Sequence, residues 1–339
     1  MKKLKKLGIF CLVVSVSVAM LVGCSKSKDK LKETSKLDDD YVMQISYGTG
    51  LCAAPLQMAV EKGFLKEEGI KYELLKSDKS SVDLMMSGKS DTFLEMLPAM
   101  IQQIDNGLDA RIAMGVHTGC LKLLTKPDSP INGVKDLKGK KIGVPGLASS
   151  QTIIAQRALL AAGIGVSPEN MEVEFVVYNQ PELPLALKNG QVDAIGMSDP
   201  SASLVVNSGD AKIILDNGVD KEYKNEYCCV LVLRPDFVKE HPEIAKKYVR
   251  AMKKAGEYVQ NNPEEVAQIQ IDKKLVALGD PTFNSGILKT YNFVPSVVKG
   301  KESLIKNFND LQKIKFISQD LDVDKVVDKI YVEFDGIDD

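Results

Sequence analysis

The sequence predicts an α/β protein of two similar lobes, each built on a mostly parallel sheet. The first observation is a repeat. Residues 88–107 are written again 102 residues later as 190–209, with Gly88, Asp91, Pro98 and Gly107 at the same mutual spacing as Gly190, Asp193, Pro200 and Gly209. Asp109-Ala110-Arg111-Ile112 is echoed by Asp210-Ala211-Lys212-Ile213. Each copy describes a helix closed by Gly, a strand opened by Asp, a Pro in the first turn of the next helix, and a second Gly ending it. The same grammar serves any α/β protein, so the repeat alone leaves both lobe duplication and ordinary reuse open. The second observation is a regular alternation of short β-rich runs with helical stretches, which gives a parallel sheet.

In order, 42–48 reads as a strand, 55–68 as a helix opened by Pro55, 70–75 as a strand and 81–87 as a helix. A strand at 92–96, a helix from Pro98 to residue 106 and a strand at 111–116 follow. A second series begins with the strand 141–144 and the helix 151–162, then strand 173–178, helix 183–189, strand 194–197, helix 201–208 and strand 212–215. Residues 121–125 precede the turn-rich 126–133, and 228–233 follow the polar 216–227; these two extended segments are the expected connections between lobes. From Pro242 onward the chain reads as helical, through 260 and several amphipathic pieces to 330. Ligands in such sheets sit outside the carboxyl ends of the strands, here 94–96 and 197–199, so facing lobes leave a cleft between those ends.

The N-terminal residues predict export. Lys2, Lys3, Lys5 and Lys6 form a positive region, residues 7–21 are almost wholly apolar, and Leu21-Val22-Gly23-Cys24 closes the run. It is too short for a comfortable membrane span. The ending resembles a bacterial lipobox, which implies cleavage before Cys24 and acylation of its thiol. Residues 1–23 are then a signal and 24–40 a Lys/Ser-rich tether, with the protein lipid-anchored on the outer face of the cytoplasmic membrane. Loss of four lysines takes the formal charge from −2 to −6. A mildly acidic chain without a basic cluster is not expected to bind nucleic acid. The expected organisation is a first lobe at 41–122, a second at 123–227, a return to the first at 228–262, and C-terminal helices at 263–339 packing on the lobes.

Several motifs then carry a family resemblance. Gly63-Phe64-Leu65 with Glu68-Gly69-Ile70, the step from Gly88 to Asp91, the run Asp136-Leu137-Lys138-Gly139-Lys140-Lys141-Ile142-Gly143-Val144, Ser149-Ser150 opening a helix, Val192-Asp193-Ala194 and His241-Pro242-Glu243 occur in order over residues 41–262. They are similar to the solute receptors of nitrate/sulfonate/taurine and thiamine-precursor importers. The resemblance implies the type II periplasmic binding-protein fold, two hinge crossovers, and a monomer without cofactor that hands a small solute to the membrane subunits of an ABC permease. A sulfonate, a pyrimidine or an aromatic or carboxylate compound is the implied solute. Asp199-Pro200 stands where many members carry Glu-Pro, and the chain has no Trp.

Residues expected at the cleft follow from the strand ends and from that resemblance. Gly146, Ser149 and Ser150 form a loop running into a helix whose free amides and hydroxyls suit an anionic oxygen; plain N-capping by either serine is the competing reading. Opposite it, Tyr47, Thr49, Leu51 and Cys52 follow the first strand, where glycines allow close backbone approach. Glu95, Met96, Ser198 and Asp199 lie at the strand ends of the two copies, before their helix-starting prolines, the two carboxylates serving either a cationic nitrogen or the following helices as caps. His117 and Thr118, and Tyr227 and Cys228, flank the two connections.

Four cysteines besides Cys24 remain after the signal: Cys52, Cys120, Cys228 and Cys229. With His117 they offer an alternative reading, a receptor for a metal or thiol-reactive ligand through Cys52, His117, Cys120 and Cys228. Against it, no Cys-x-x-Cys pair exists, and strand alternation is expected to point Cys228 and Cys229 to opposite faces. Buried apolar thiols or disulfides are the other fates. A third reading is a synthase of the thiamine-pyrimidine type, which shares the fold, although the export signal and the absence of a nucleophile elbow or phosphate-binding Lys loop speak for a receptor and not an enzyme.

Overall fold

The computed structural model describes residues 40–77, 80–337 and 339. The expected signal segment, Cys24 and almost all of the tether lie outside the described residues. The first βα series consists of β1 (Val42–Tyr47), α1 (Ala54–Glu61), α2 (Phe64–Glu67), β2 (Lys71–Lys76), α3 (Ser81–Met86), β3 (Thr92–Met96), α4 (Leu97–Asp105) and β4 (Arg111–Thr118). The second holds β5 (Leu121–Thr125), β6 (Lys141–Val144), α5 (Ser150–Ala161), a small hairpin β7 (Val166–Ser167) and β8 (Asn170–Met171), β9 (Glu174–Val177), α6 (Leu183–Lys188), β10 (Ala194–Ser198), α7 (Ser201–Asn207) and β11 (Lys212–Asp216). The chain returns as β12 (Tyr227–Leu233) and ends in helices α8 (Pro235–Glu240), α9 (Pro242–Asn261), α10 (Pro263–Asp272), α11 (Pro281–Leu288), α12 (Val298–Lys313) and α13 (Val323–Ile330). The expected helix 55–68 is two helices, because Gly63 adopts φ 79° and ends the first at Lys62.

Two five-stranded sheets carry the lobes, ordered β2-β1-β3-β12-β4 and β9-β6-β10-β5-β11. Written this way they correspond strand by strand. In each, the fourth strand is antiparallel to its neighbours and is supplied by the chain just after it has crossed from the other lobe. The extended segments 121–125 and 228–233 are therefore strands of the sheets they enter. The crossings themselves are the tight turn at Gly119 and Cys120 and the longer stretch 217–226.

The sequence repeat has a structural meaning. Asp91 accepts the Gln44 amide on its carboxylate at 2.8 Å and donates its own amide to the Gln44 carbonyl, also at 2.8 Å. Asp193 makes the same pair of bonds with Lys141, each at 2.8 Å. Each aspartate thus locks the start of one parallel strand to its neighbour, following a glycine at φ 71° that closes the preceding helix, Gly88 in one copy and Gly190 in the other.

The C-terminal helices tie the lobes down. α9 lays Ile244, Tyr248, Val249, Met252 and Val259 into the first lobe. α12 approaches β4 so closely that Gly300 packs on Gly115, whose amide and carbonyl exchange hydrogen bonds with Ser296 at 2.9 and 3.0 Å. From α5 in the second lobe, buried Arg157 reaches Asp310 and Asn307 of α12 at 2.7 and 3.1 Å, and Glu226 at the head of β12 at 2.7 Å. The same helix is therefore anchored to both lobes.

Candidate ligand cleft and its thiol floor

The carboxyl ends of β1, β3 and β10 converge on one cleft of about 210 Å³. Tyr47, Thr49, Leu51 and Cys52, from the turn after β1, line it together with Glu95 and Met96 from β3 and Ser198 and Asp199 from β10. Strand ends from both lobes thus meet where an α/β sheet ordinarily holds its ligand. Ser46 and Ser81, whose hydroxyls lie 3.0 Å apart, extend the polar wall, and Leu56 and Leu94 are apolar neighbours. Leu94 belongs to the expected strand end 94–96, whereas Ser46, Ser81 and Leu56, like Cys229, are lining residues that the strand-end reading did not reach.

The two strand-end carboxylates are differently engaged. Asp199 is committed: one oxygen accepts from the Ser203 amide at 3.0 Å and hydroxyl at 2.6 Å, capping α7, and the other pairs with Lys122 at 2.8 Å. Lys122 also pairs with Asp216 at 2.9 Å, so a buried cation sits between two carboxylates beneath the cleft. The Asp199 amide donates to the Cys120 carbonyl at 3.0 Å, and Asn217 brackets Leu121, which fixes the first crossing. Glu95 instead accepts, among the described residues, from its own neighbour, the Met96 amide, at 2.8 Å, and burial pushes its carboxyl pKa up.

Gly146, Ser149 and Ser150 lie outside this lining. Ser149 caps α5 by accepting from Thr152, and the buried Ser150 hydroxyl accepts from the Ala99 amide in the first turn of α4 at 3.2 Å, a bond between lobes. Tyr227 and Thr118 are likewise buried away from it. The Tyr227 hydroxyl donates to the Val294 carbonyl, its ring lies over Gly115, and burial pushes its pKa up to about 12.

Thiols form the floor. The sulfurs of Cys52, Cys120 and Cys229 lie within 4.8 Å of one another, and Cys228 Sγ lies 3.0 Å from Cys120 Sγ. The expectation that alternation would separate Cys228 from Cys229 is corrected here. The pairing of β12 with β4 shifts register between Tyr227 and Cys229 and again between Cys229 and Val230, and such irregularities re-aim side chains. It is Cys229, rather than Cys228, that lines the cleft. Cys120 adopts φ 89°, a left-handed conformation that costs a non-glycine residue on the order of 1 kcal/mol or more.

His117 completes the cluster. It is fully buried, stacked on Tyr291 at 5.2 Å and tilted against Phe293 at 5.0 Å. Its Nδ1 lies 2.9 Å from the Thr118 carbonyl, which only a donor satisfies, so Nδ1 carries the hydrogen. Nε2 makes no hydrogen bond among the described residues. The Cys120 thiol holds Cys52 well below the ordinary thiol range by hydrogen bonding, with help from His117, and acts on Cys228 in the same way. Cys120 itself is pushed well above that range, first by its bond to Cys228. Burial pulls the His117 imidazole down, but the Cys52 sulfur beside it more than reverses this.

With this geometry in place, comparison with known proteins decides the family. The model of the family described as NMT1/THI5 like matches residues 52–266, more than half of the chain. The chain belongs to the NMT1/THI5-like family. It is 25% identical over 349 residues to the putative aliphatic sulfonates-binding protein of Bacillus subtilis, covering 95% of each chain. It is 27% identical over 237 residues to the 4-amino-5-hydroxymethyl-2-methylpyrimidine phosphate synthase of Aspergillus parasiticus, covering 67% of this chain and 68% of that one. The periplasmic aliphatic sulphonate binding protein of Escherichia coli superposes with a TM-score of 0.70 over 87% of this chain and 94% of its own at 15% identity, so the fold is that of the periplasmic binding proteins.

Proposed function

We propose that this NMT1/THI5-like protein is an extracytoplasmic receptor that captures a small solute between its lobes and delivers it to the membrane subunits of an ABC importer. The observation that carries the reading is the meeting of β1, β3 and β10 from both lobes on one cleft, between two chain crossings. The relative matched along almost the whole chain is a binding protein, whereas the synthase relative is matched over about two thirds, which supports a receptor over an enzyme. Acylation at Cys24 would hold a monomer at the outer face of the cytoplasmic membrane. Among the described residues no Lys or Arg lines the cleft, and Glu95 and Asp199 do. A sulfonate placed there would meet no compensating cation among the described lining residues, and that described lining favours a solute that offers hydrogen-bond donors or a positive centre.

Native mass spectrometry of gently purified protein is expected to retain one small ligand per chain. At 100 times its Kd that ligand should stabilise the fold by about 2.7 kcal/mol, visible as a raised melting temperature. Turnover of the ligand into a second compound would replace the receptor with an enzyme, and the absence of any stabilising compound across sulfonates, pyrimidines, aromatic acids and metal ions would remove both.

A further inference from the structure

We propose that Cys52, Cys120 and Cys229 form a soft-metal site on the floor of the cleft, with His117 and Cys228 at its margin, and that the captured solute is a thiophilic d-block cation of the Zn²⁺ or Cu⁺ class. Its role as cargo rests on the receptor reading above.

The three thiols come from elements far apart in sequence: the turn after β1, the first crossing, and the returning strand. Packing alone needs no such convergence, since single cysteines fill small apolar spaces equally well when dispersed. A tetrahedral zinc–thiolate centre has Zn–S near 2.3 Å, hence sulfurs about 3.8 Å apart. Three sulfurs already within 4.8 Å need contract only slightly to reach that separation.

Two local features work toward the cluster at some cost to the fold. Cys120 takes its left-handed conformation next to Gly119, and β12 breaks register around Cys229. An independent observation concerns His117. Its Nδ1 is spent on the Thr118 carbonyl, while the buried Nε2 has no partner at hydrogen-bond distance among the described residues. A ligating histidine shows this arrangement, one ring nitrogen oriented by a carbonyl and the other left with its lone pair. Outside the three-sulfur group as it stands, Nε2 would join as a fourth donor by moving toward the sulfurs on binding.

Binding replaces thiol protons by the cation and releases them to solvent, with no change in oxidation state. Because the donors lie at β1, at the first crossing and on the return from the second, a bound ion would link the first lobe to the hinge. The competing fate is oxidation: Cys120 and Cys228, 3.0 Å apart, are placed to form a disulfide if an oxidant removes two electrons and two protons.

The test uses the exported chain, reduced and handled without oxygen. Co²⁺ serves as the spectroscopic probe and Zn²⁺ as its competitor. We expect one Zn²⁺ per chain, a thiolate-to-Co²⁺ charge-transfer band that Zn²⁺ abolishes, and an affinity lowered about 100-fold or more by Cys120→Ser or Cys229→Ser. Melting of the metal-free variants reports whether they fold; if Cys120→Ser does not, Cys52→Ser carries the comparison. The inference is overturned if all four thiols titrate and no charge-transfer band forms, or if protein isolated from the cell envelope contains a Cys120–Cys228 disulfide in place of the thiols. Failure with metals alongside a tightly bound organic solute would sink this inference and leave the receptor reading standing. Metal binding that leaves the solution scattering unchanged would overturn the cargo role and make the ion a resident of the fold.

Discussion

Lys122→Met is expected to lower stability by about 3–5 kcal/mol, the cost of stranding buried charge when one partner of an ion pair is removed. Lys122 and Asp199 are almost completely buried and Asp216 nearly so, and the lysine is the cation between them. Methionine conserves most of the volume, so the loss reports charge and not a cavity. The sign of a second change separates this from general damage. Adding Asp199→Asn and Asp216→Asn to Lys122→Met should recover much of the loss, because neutral amides need no counter-ion. Thermal or urea unfolding of the single and triple variants measures both. The single variant should also loosen the first crossing, since Asp199 after β10 and Asn217 after β11 hold Cys120 and Leu121 from the two sides of β5. A single variant as stable as the parent would mean that Lys122 is not the counter-ion described.

Gly300→Ala is expected to destabilise the protein even though alanine is the better helix former by about 1 kcal/mol. A Cβ at this position of α12 would overlap the backbone amide of Gly115 and lie 2.9 Å from the Tyr331 hydroxyl. Backbone on β4 cannot rotate aside, so the helix must lift, at a cost of about 1–3 kcal/mol or more. Gly286→Ala is the contrasting case. It sits within α11 with nothing within 4 Å of its added Cβ, and it should be neutral or stabilising by up to about 1 kcal/mol. If both substitutions shift the melting temperature in the same direction, the docking of α12 on β4 is not as described.

The two-lobed fold was legible because its signals are local. Asp91 and Asp193 at equal spacing from helix-closing glycines mark strands that each lock to a parallel neighbour, and the duplicated hydrogen bonds show why the spacing is shared. The break at Gly63 was less legible, because Phe64-Leu65 continues the apolar pattern while only the backbone conformation ends the helix. At the site, strand ends gave the turn after β1, Glu95, Met96, Ser198 and Asp199, all of which line the cleft. The Gly146–Ser149–Ser150 loop has the composition of an anion cradle, yet its hydroxyls are engaged in a cap and in a bond to α4. Composition does not reveal which partner a hydroxyl finds. The thiol floor was the least legible feature. Alternation predicts opposed faces for Cys228 and Cys229, and only the register shifts in β12, a product of long-range pairing, bring both within reach of Cys120.

The central claim is that a solute held between the strand ends of the two lobes draws them together. Small-angle scattering of the reduced protein, without and with its ligand at saturation, tests this most directly, because binding across a cleft favours the closed arrangement by its differential affinity. We predict a smaller radius of gyration with ligand. An unchanged scattering curve from a sample shown by native mass spectrometry to be fully bound would contradict it.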